Sequence, residues 1–211
     1  MIRLVAFLGN YGRTYENTRH NAAWLFADSL PFAHRLSWQH KFKGDFCSLD
    51  TSRLASWADE YHLDVPHAEA ASDTIFFLKP ETYMNASGES IVELANFYKL
   101  TAEHILVVHD ELELPPGTIS LKKGGGLGGH NGLRSTKAVL NTADFWRFRF
   151  GIGRPDDPDV AAYVLAPFTS DERITMAQTF TAAAIPFIEA ILAKDPGKLI
   201  AAWGKKKVCA D

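Results

Sequence analysis

The chain is short of what would tie it to a disulfide framework, a membrane or a metal cage. It has two cysteines, Cys47 and Cys209, in 211 residues. They lie far apart with no CxxC, which argues against a disulfide scaffold or a zinc ribbon, and both are expected reduced. No apolar run reaches the length of a bilayer span, and MIRLVAFLGN turns to glycine and polar residues too soon for a secretion signal. A cytoplasmic protein with no membrane partner is expected. GxSxG is absent, so no serine stands in a nucleophile elbow. HExxH is absent too, and the one glycine-dense stretch lacks the GK[ST] ending of a P-loop, which leaves nucleotide hydrolysis unsupported. Nor is there a basic surplus: 22 Lys and Arg against 25 Asp and Glu leave a net charge of −3, where nucleic-acid binders usually carry an excess.

What the chain does have is enough apolar material for a core, 46% hydrophobic against 22% charged, at a length that suits one domain. No internal repeat or low-complexity linker divides it. The charge is unevenly spread. From Lys122 to Arg154 seven bases (Lys122, Lys123, Arg134, Lys137, Arg147, Arg149, Arg154) meet one acid, Asp144; from Thr51 to Asp73 five acids meet one base, Arg53. A basic stretch is therefore hidden in an acidic whole, with scattered surface charge as the plain alternative. Inside the basic stretch, KKGGGLGGHNGLRS sets five of the fifteen glycines between Gly124 and Gly129. Such a loop either lets a phosphate approach the backbone or satisfies backbone angles that only glycine adopts freely.

Strands and helices alternate. IRLVAFLG (2–9), TIFFLKP (74–80) and HILVVHD (104–110) read as buried strands. TRHNAAWLFADSL (18–30) reads as a helix with Thr18 as N-cap, and SIVELANFYKL (90–100) as another. ELPPGTISLKK (113–123) reads as a turn into a strand, and FWRFRFGIG (145–153) as an alternating strand. The stretch 170–194 reads as a helix that Pro186 should kink or break. This order predicts a single α/β domain over 1–211, with a central twisted mixed β-sheet flanked by helices and a surface insertion at 51–73. The tail Lys205–Lys207 is expected to keep the C-terminus solvated.

Chemistry-bearing residues gather where strands end. Asn10 follows the first strand, His20 opens the next helix, Asn85 follows the apolar run TIFFLKP and Asp110 ends HILVVHD. The carboxyl ends of strands build the ligand crevice of open α/β sheets. A histidine with an aspartate is the minimum for a general base, because the carboxylate fixes the tautomer and favours the cation formed on proton uptake. Primary amides offer donors to a developing oxyanion. With no activated serine or cysteine, water is the expected nucleophile. Each residue also has a structural reading: His20 as a capping histidine, Asp110 as a strand-end turn, Asn85 and Asn131 as helix caps. A metal held by His109, Asp110 and His130 is the sharper rival, although their spacing matches no known ligand motif.

Together these stretches resemble one family. FLGNYGRTYENTRHNAA, FLKPETYMNASGESI, HDELELPPGTISLKKGGGLGGHNGLRS, FWRFRFGIGRP and VAAYVLAPF come in the order found in bacterial-type peptidyl-tRNA hydrolases and cover Ile2 to about Phe168. The resemblance implies hydrolysis of the ester joining an N-acylated peptide to tRNA, recycling tRNA from prematurely released peptidyl-tRNA, without metal or cofactor and as a monomer. It puts the base on His20, its orienting carboxylate on Asp110, and the distinction of blocked from free aminoacyl groups on Asn10. It puts substrate contacts on Tyr15, Tyr83, Met84, Asn85 and Asn131, and the tRNA phosphate on Lys122 and Arg149. Two positions depart from the family pattern: Tyr11 stands where GNPG has proline, and Ala23 where HNAG has glycine. Tyr11 is expected to reshape the turn that aims Asn10. An RNA-binding protein of the same fold that has lost hydrolysis is the alternative of another class.

Overall fold

The computed structural model describes residues 1–65 and 73–209. Eight strands form one mixed sheet among these residues: β1 (Leu4–Phe7), β2 (Gln39–His40), β3 (Gly44–Asp50), β4 (Thr74–Pro80), β5 (Ile105–Glu111), β6 (Thr118–Lys123), β7 (Trp146–Gly151) and β8 (Lys206–Lys207). Their order is β2-β3-β4-β1-β5-β7-β6-β8. The central four, β4, β1, β5 and β7, run parallel, and antiparallel strands flank them on both sides. The helices are α1 (Ala22–Ser29), α2 (Thr51–Glu60), α3 (Ser87–Phe97), α4 (Asn131–Leu140), α5 (Val160–Leu165), α6 (Ser170–Leu192) and α7 (Ile200–Trp203). The predicted α/β class with a mixed sheet therefore holds.

The alternation of side chains along the strands explains the layering. Val5 and Phe7 of β1 and Leu106 and Val108 of β5 face α1, α2 and α6, where they pack on Phe26, Leu54, Phe180 and Phe187. Their neighbours Leu4, Ala6, Ile105 and Val107 face the opposite layer, with Ile91 and Leu94 of α3 and Leu133 of α4. Burial on both faces is why these parallel strands read as continuous apolar runs in the sequence. Helices α3 and α4 approach so closely that a Cβ on Gly88 would lie 2.4 Å from the Ser135 carbonyl oxygen.

Two sequence expectations, at Thr18 and Pro186, are corrected. Thr18 does not cap α1: its hydroxyl donates to the Tyr15 carbonyl, a 3-10 turn over Arg19–Asn21 follows, and the α-helix starts at Ala22. Pro186 does not break α6, which continues to Leu192; its ring is buried, and burial of that helix face outweighs the one hydrogen bond that proline removes. The same helix is long and apolar enough, by length and composition, to cross a bilayer. Here it is a core helix, with Met176, Phe180, Ala183, Phe187 and Ile191 all buried. Within the stretch 51–73, α2 buries Leu54, Trp57 and Ala58 against the first layer, while 66–72 lie outside the described residues. Lys206 and Lys207 pair along β6 as an exposed edge strand. Cys47 and Cys209 are free and buried, and burial pushes the Cys47 thiol up to about 12, which makes it inert as a nucleophile.

Candidate active site

The carboxyl ends of β1, β4 and β5 deliver Asn10, the Tyr83–Asn85 segment and Asp110 to one edge of the sheet, as the topology requires. The 3-10 turn Arg19–Asn21 brings His20 in from the other side. Its Nδ1 lies 2.9 Å and 3.1 Å from the two carboxylate oxygens of Asp110, with both side chains buried. His130 completes the group: its Nε2 lies 3.1 Å from Asp110 Oδ1.

Hydrogen bonding fixes the tautomers. His130 is the N-cap of α4, and its Nδ1 accepts from the backbone N–H groups of Gly132 and Leu133 at 3.1 and 3.4 Å. A nitrogen that accepts carries no proton, so neutral His130 is protonated on Nε2 and donates to Asp110. His20 donates to the same carboxylate from Nδ1, which leaves its Nε2 lone pair on the cleft side. Burial alone would make His20 harder to protonate, but the charge and hydrogen bond of Asp110 outweigh it and hold the imidazole above its ordinary 6.5. Burial likewise opposes the Asp110 charge, yet the two imidazoles hold that carboxyl well below the usual range.

The His109–Asp110–His130 ligand set that the metal alternative needs is not brought together. His109 turns its Nδ1 to the Asp110 backbone carbonyl at 2.6 Å and keeps its Nε2 enclosed without a partner among the described residues. Burial and the neighbouring His130 push its pKa well below 6.5. At this site the residues whose ligand atoms lie within 4.8 Å of one another are His20, Asp110 and His130; a second such group among the described residues, His40, Asp45 and Glu81, lies elsewhere and is more exposed.

Beside the His20–Asp110 pair lies a cleft of about 420 Å³, lined by Asn10, Tyr15, His20, Tyr83, Met84, Asn85 and Asn131. The residues proposed from sequence for the base and the acyl side therefore meet on one surface. A second hollow of about 400 Å³ shares His20 and Asn131 with it and runs past Asp110, Gly128, Gly129 and Arg134. His20 stands where the two join. Asn10 is held tightly: Asn21 accepts from its backbone N–H at 2.8 Å and donates to its carbonyl at 3.0 Å, and its Oδ1 accepts the Met84 N–H at 2.9 Å. Asn21 and Met84 thus hold Asn10 in place, beside the exposed Tyr11. Tyr83 has φ 57°, a left-handed conformation that non-glycine residues rarely adopt, and its ring meets that of Tyr15 edge-on. Asn131 is the first residue of α4 and not its cap, and its Oδ1 accepts from Arg134.

The glycine loop meets the backbone demand: Gly124, Gly125, Gly128 and Gly129 have φ between 58° and 92°. Arg147, fully buried, donates to the carbonyls of Gly126 and Gly125 at 2.6 and 2.9 Å and so holds the loop down. Cross-strand register puts Ser120 and Lys122 of β6, Arg147 and Arg149 of β7, and His109 and Glu111 of β5 on one face of the sheet. Arg149 is already engaged there, donating to Glu111 at 3.1 Å and to Ser120 at 2.6 Å. Partial burial, with Arg149 and Arg147 near it, pushes the Lys122 ammonium below its ordinary value. The basic stretch is therefore part scaffold: Arg147 is structural, and Arg149 and Arg154 pair with Glu111 and Glu113.

Two of these roles have no counterpart in the sequence: Asn21, inside RHNA, looks like part of a helix start, and His130 reads only as a metal ligand.

Fold and site define a class: an α/β protein with a His–Asp–His group at the carboxyl edge of its parallel strands, opening on a cleft lined with amides and tyrosines. Comparison with known proteins narrows it. The peptidyl-tRNA hydrolase family model matches residues 4–210. The chain is 42% identical over 211 residues to the peptidyl-tRNA hydrolase of Treponema pallidum (strain Nichols), covering 98% of this chain and 96% of that one. It is 39% identical over 206 residues to that of Desulfitobacterium hafniense (strain Y51), covering 97% and 94%. The crystal structure of peptidyl-tRNA hydrolase from Acinetobacter baumannii superposes with a TM-score of 0.78 at 32% identity, covering 96% of each chain. The chain belongs to the peptidyl-tRNA hydrolase family.

Proposed function

We propose that the protein hydrolyses the ester between an N-acylated peptide and the terminal ribose of tRNA, by water activated on His20. The observation that carries this reading is the His20 imidazole, fixed by Asp110 through Nδ1 and with its Nε2 free where two hollows join. One hollow takes the acyl group and the other the nucleoside end of the same ester. Water attacks the ester carbonyl carbon while His20 Nε2 takes its proton. The new imidazolium is stabilised by the Asp110 carboxylate, which His130 keeps oriented. The amides of Asn85 and Asn131 supply donors to the tetrahedral oxyanion. Collapse breaks the bond to the ribose oxygen, and the imidazolium returns the proton to that oxygen. Peptide acid and free tRNA leave, and the base is restored with no cofactor consumed. The role proposed with it is recycling of tRNA from prematurely released peptidyl-tRNA, in the cytoplasm and as a monomer.

Asn10 gives a physical basis for selectivity. Its Oδ1 is occupied by the Met84 N–H, so its Nδ2 is the group left to the cleft. An amide N–H donates to the carbonyl of an acylated α-nitrogen but offers nothing to an ammonium. Lys122, with Arg149 beside it, supplies charge to a tRNA phosphate, so recognition should weaken with salt and be largely indifferent to sequence. The test is release of N-acetyl amino acid from N-acetyl-aminoacyl-tRNA in the presence of a chelator, with unblocked aminoacyl-tRNA as control. Cleavage of the blocked substrate alone is expected. Activity that disappears with chelator and returns with a divalent cation would favour a metal on His20, Asp110 and His130 instead.

A further inference from the structure

Arg19 precedes the base, yet its side chain points away from it and is buried. Its bonds go to the C-terminal end of α5, which walls the cleft, and to the first turn of α6. Its Nη1 donates to the carbonyls of Tyr163 and Ala166 at 3.2 and 3.3 Å. Its Nε and Nη2 donate to the two oxygens of Glu172 at 3.1 and 2.7 Å. The guanidinium also lies over the Tyr163 ring, 4.3 Å from its centroid. The main chain follows the same path, since Arg19 N–H donates to Ala166 O at 3.1 Å and Thr18 bridges to Pro167.

Helix α5 has six residues, Val160–Leu165, too few to hold a helix by their own hydrogen bonds. Yet its Ala161 and Val164 line both hollows of the site. The carbonyls that Arg19 binds are at the C-terminal end of that helix, where intrahelical partners run out and a cation is favoured. Glu172 is in turn the third residue of α6 and closes its capping box with Thr169. One guanidinium therefore fastens the end of α5 and the start of α6 to the turn that carries His20.

We propose that Arg19 is a positioning residue: with Glu172 it latches the α5 wall at a fixed distance from the base and so sets the fit of the substrate's ester end. This rests on the hydrolase reading above for its kinetic consequence, but not for its structural one. Only arginine suits the place, because it uses a planar fork of donors on four acceptor atoms where lysine offers a single compact charge. The latch touches no reacting atom. It acts on binding, not on proton transfer.

The test compares Arg19→Lys and Glu172→Gln with the wild-type full chain by steady-state kinetics on N-acetyl-aminoacyl-tRNA, a pH–rate profile, and amide hydrogen exchange followed by mass spectrometry. In Arg19→Lys we expect KM to rise about tenfold with kcat within about threefold. The acid limb should stay in place, and exchange should accelerate in the peptides spanning 160–168 but not in those spanning β1 and β5. Glu172→Gln, which keeps the shape and loses the charge, should show the same pattern more weakly, and carries the test if Arg19→Lys does not fold. Unchanged KM and unchanged exchange over 160–168 in a folded variant would overturn the latch. So would a fall in kcat with a displaced acid limb, which would mean that Arg19 acts on His20. A wild-type protein with no hydrolytic activity would refute the hydrolase reading and leave the exchange result to judge the latch alone.

Discussion

Replacing Asp110 with asparagine tests the geometry of the base in one change. The side chain is buried and is the common acceptor for two imidazole N–H groups. An amide of the same shape has one acceptor oxygen and one NH2 group. If the oxygen stays with His130, whose tautomer α4 fixes, the NH2 faces His20 Nδ1 and favours the tautomer with the proton on Nε2. That form cannot take a proton from water. Loss of the oriented, charge-supported base predicts a fall in kcat of roughly 10³–10⁴-fold, or roughly 4–5 kcal/mol of transition-state stabilisation, with KM little changed. The pH profile gives a second, independent readout. A general base at His20 must be neutral to act, and its pKa is raised, so in the wild type the proposal predicts that kcat/KM rises with pH through a midpoint above 6.5. Asp110 supplies the charge and the hydrogen bond behind that rise, and without it burial, which favours the neutral ring, is left in control. The acid limb of residual activity in Asp110→Asn should therefore move below 6.5. Stability follows the same linkage: a carboxyl held below its unfolded value contributes stability above that value and loses it as pH falls. The variant should melt lower than wild type at neutral pH, and the gap should close in acid. Initial rates of N-acetyl-aminoacyl-tRNA hydrolysis between pH 5 and 9, with melting curves at each pH, measure all three. Retention of more than about a tenth of kcat, or an acid limb that stays in place, would refute the role given to Asp110.

Lys122→Ala should weaken tRNA binding with kcat nearly unchanged and flatten the dependence of log K on log salt by about one unit; Arg149→Ala, which also leaves Glu111 without its partner, should cost some stability as well. Asn10→Ala should narrow the ratio of blocked to unblocked substrate hydrolysis by about tenfold, one hydrogen bond's worth, and an unchanged ratio would assign selectivity elsewhere. Gly88→Ala should lower stability by about 1–3 kcal/mol, because its Cβ would stand 2.4 Å from the Ser135 carbonyl where α3 crosses α4; a thermal melt equal to wild type would show that the two helices separate easily.

The strands that build the site, β1, β4 and β5, were legible because burial on both faces makes each a continuous apolar run. Strand β3 was not: GDFCSLD mixes Asp45 and Ser48 with Phe46 and Leu49, the signature of a strand whose antiparallel partner is visible only in three dimensions. Strand β2 has two residues and carries no periodicity. Helix α2 looked like a polar excursion because only Leu54, Trp57 and Ala58 turn inward with Thr51. At the site, Asn10 and Asn85 stood out as polar residues after apolar runs, Asp110 as the polar end of one, and His20 as the histidine opening the next helical stretch. Arg19 did not, since its partner Glu172 lies 153 residues along the chain and a charged residue beside the base looks like surface until that partner is seen. His130 was visible as a titratable residue, but its task depends on capping α4 through Nδ1, which sequence does not distinguish from metal ligation. Arg147 looked like one of seven available cations, and burial beneath the glycine loop removes it from that number.

The measurement that bears most directly on the account is single-turnover hydrolysis of N-acetyl-aminoacyl-tRNA by excess His20→Ala in chelator, with tRNA affinity measured in parallel. A base that acts on water and takes no part in holding tRNA predicts cleavage lowered by at least about 10³-fold with affinity within about threefold of wild type. Cleavage at a wild-type rate, or affinity lost together with cleavage, would contradict His20 as the base and with it the mechanism built on its free Nε2.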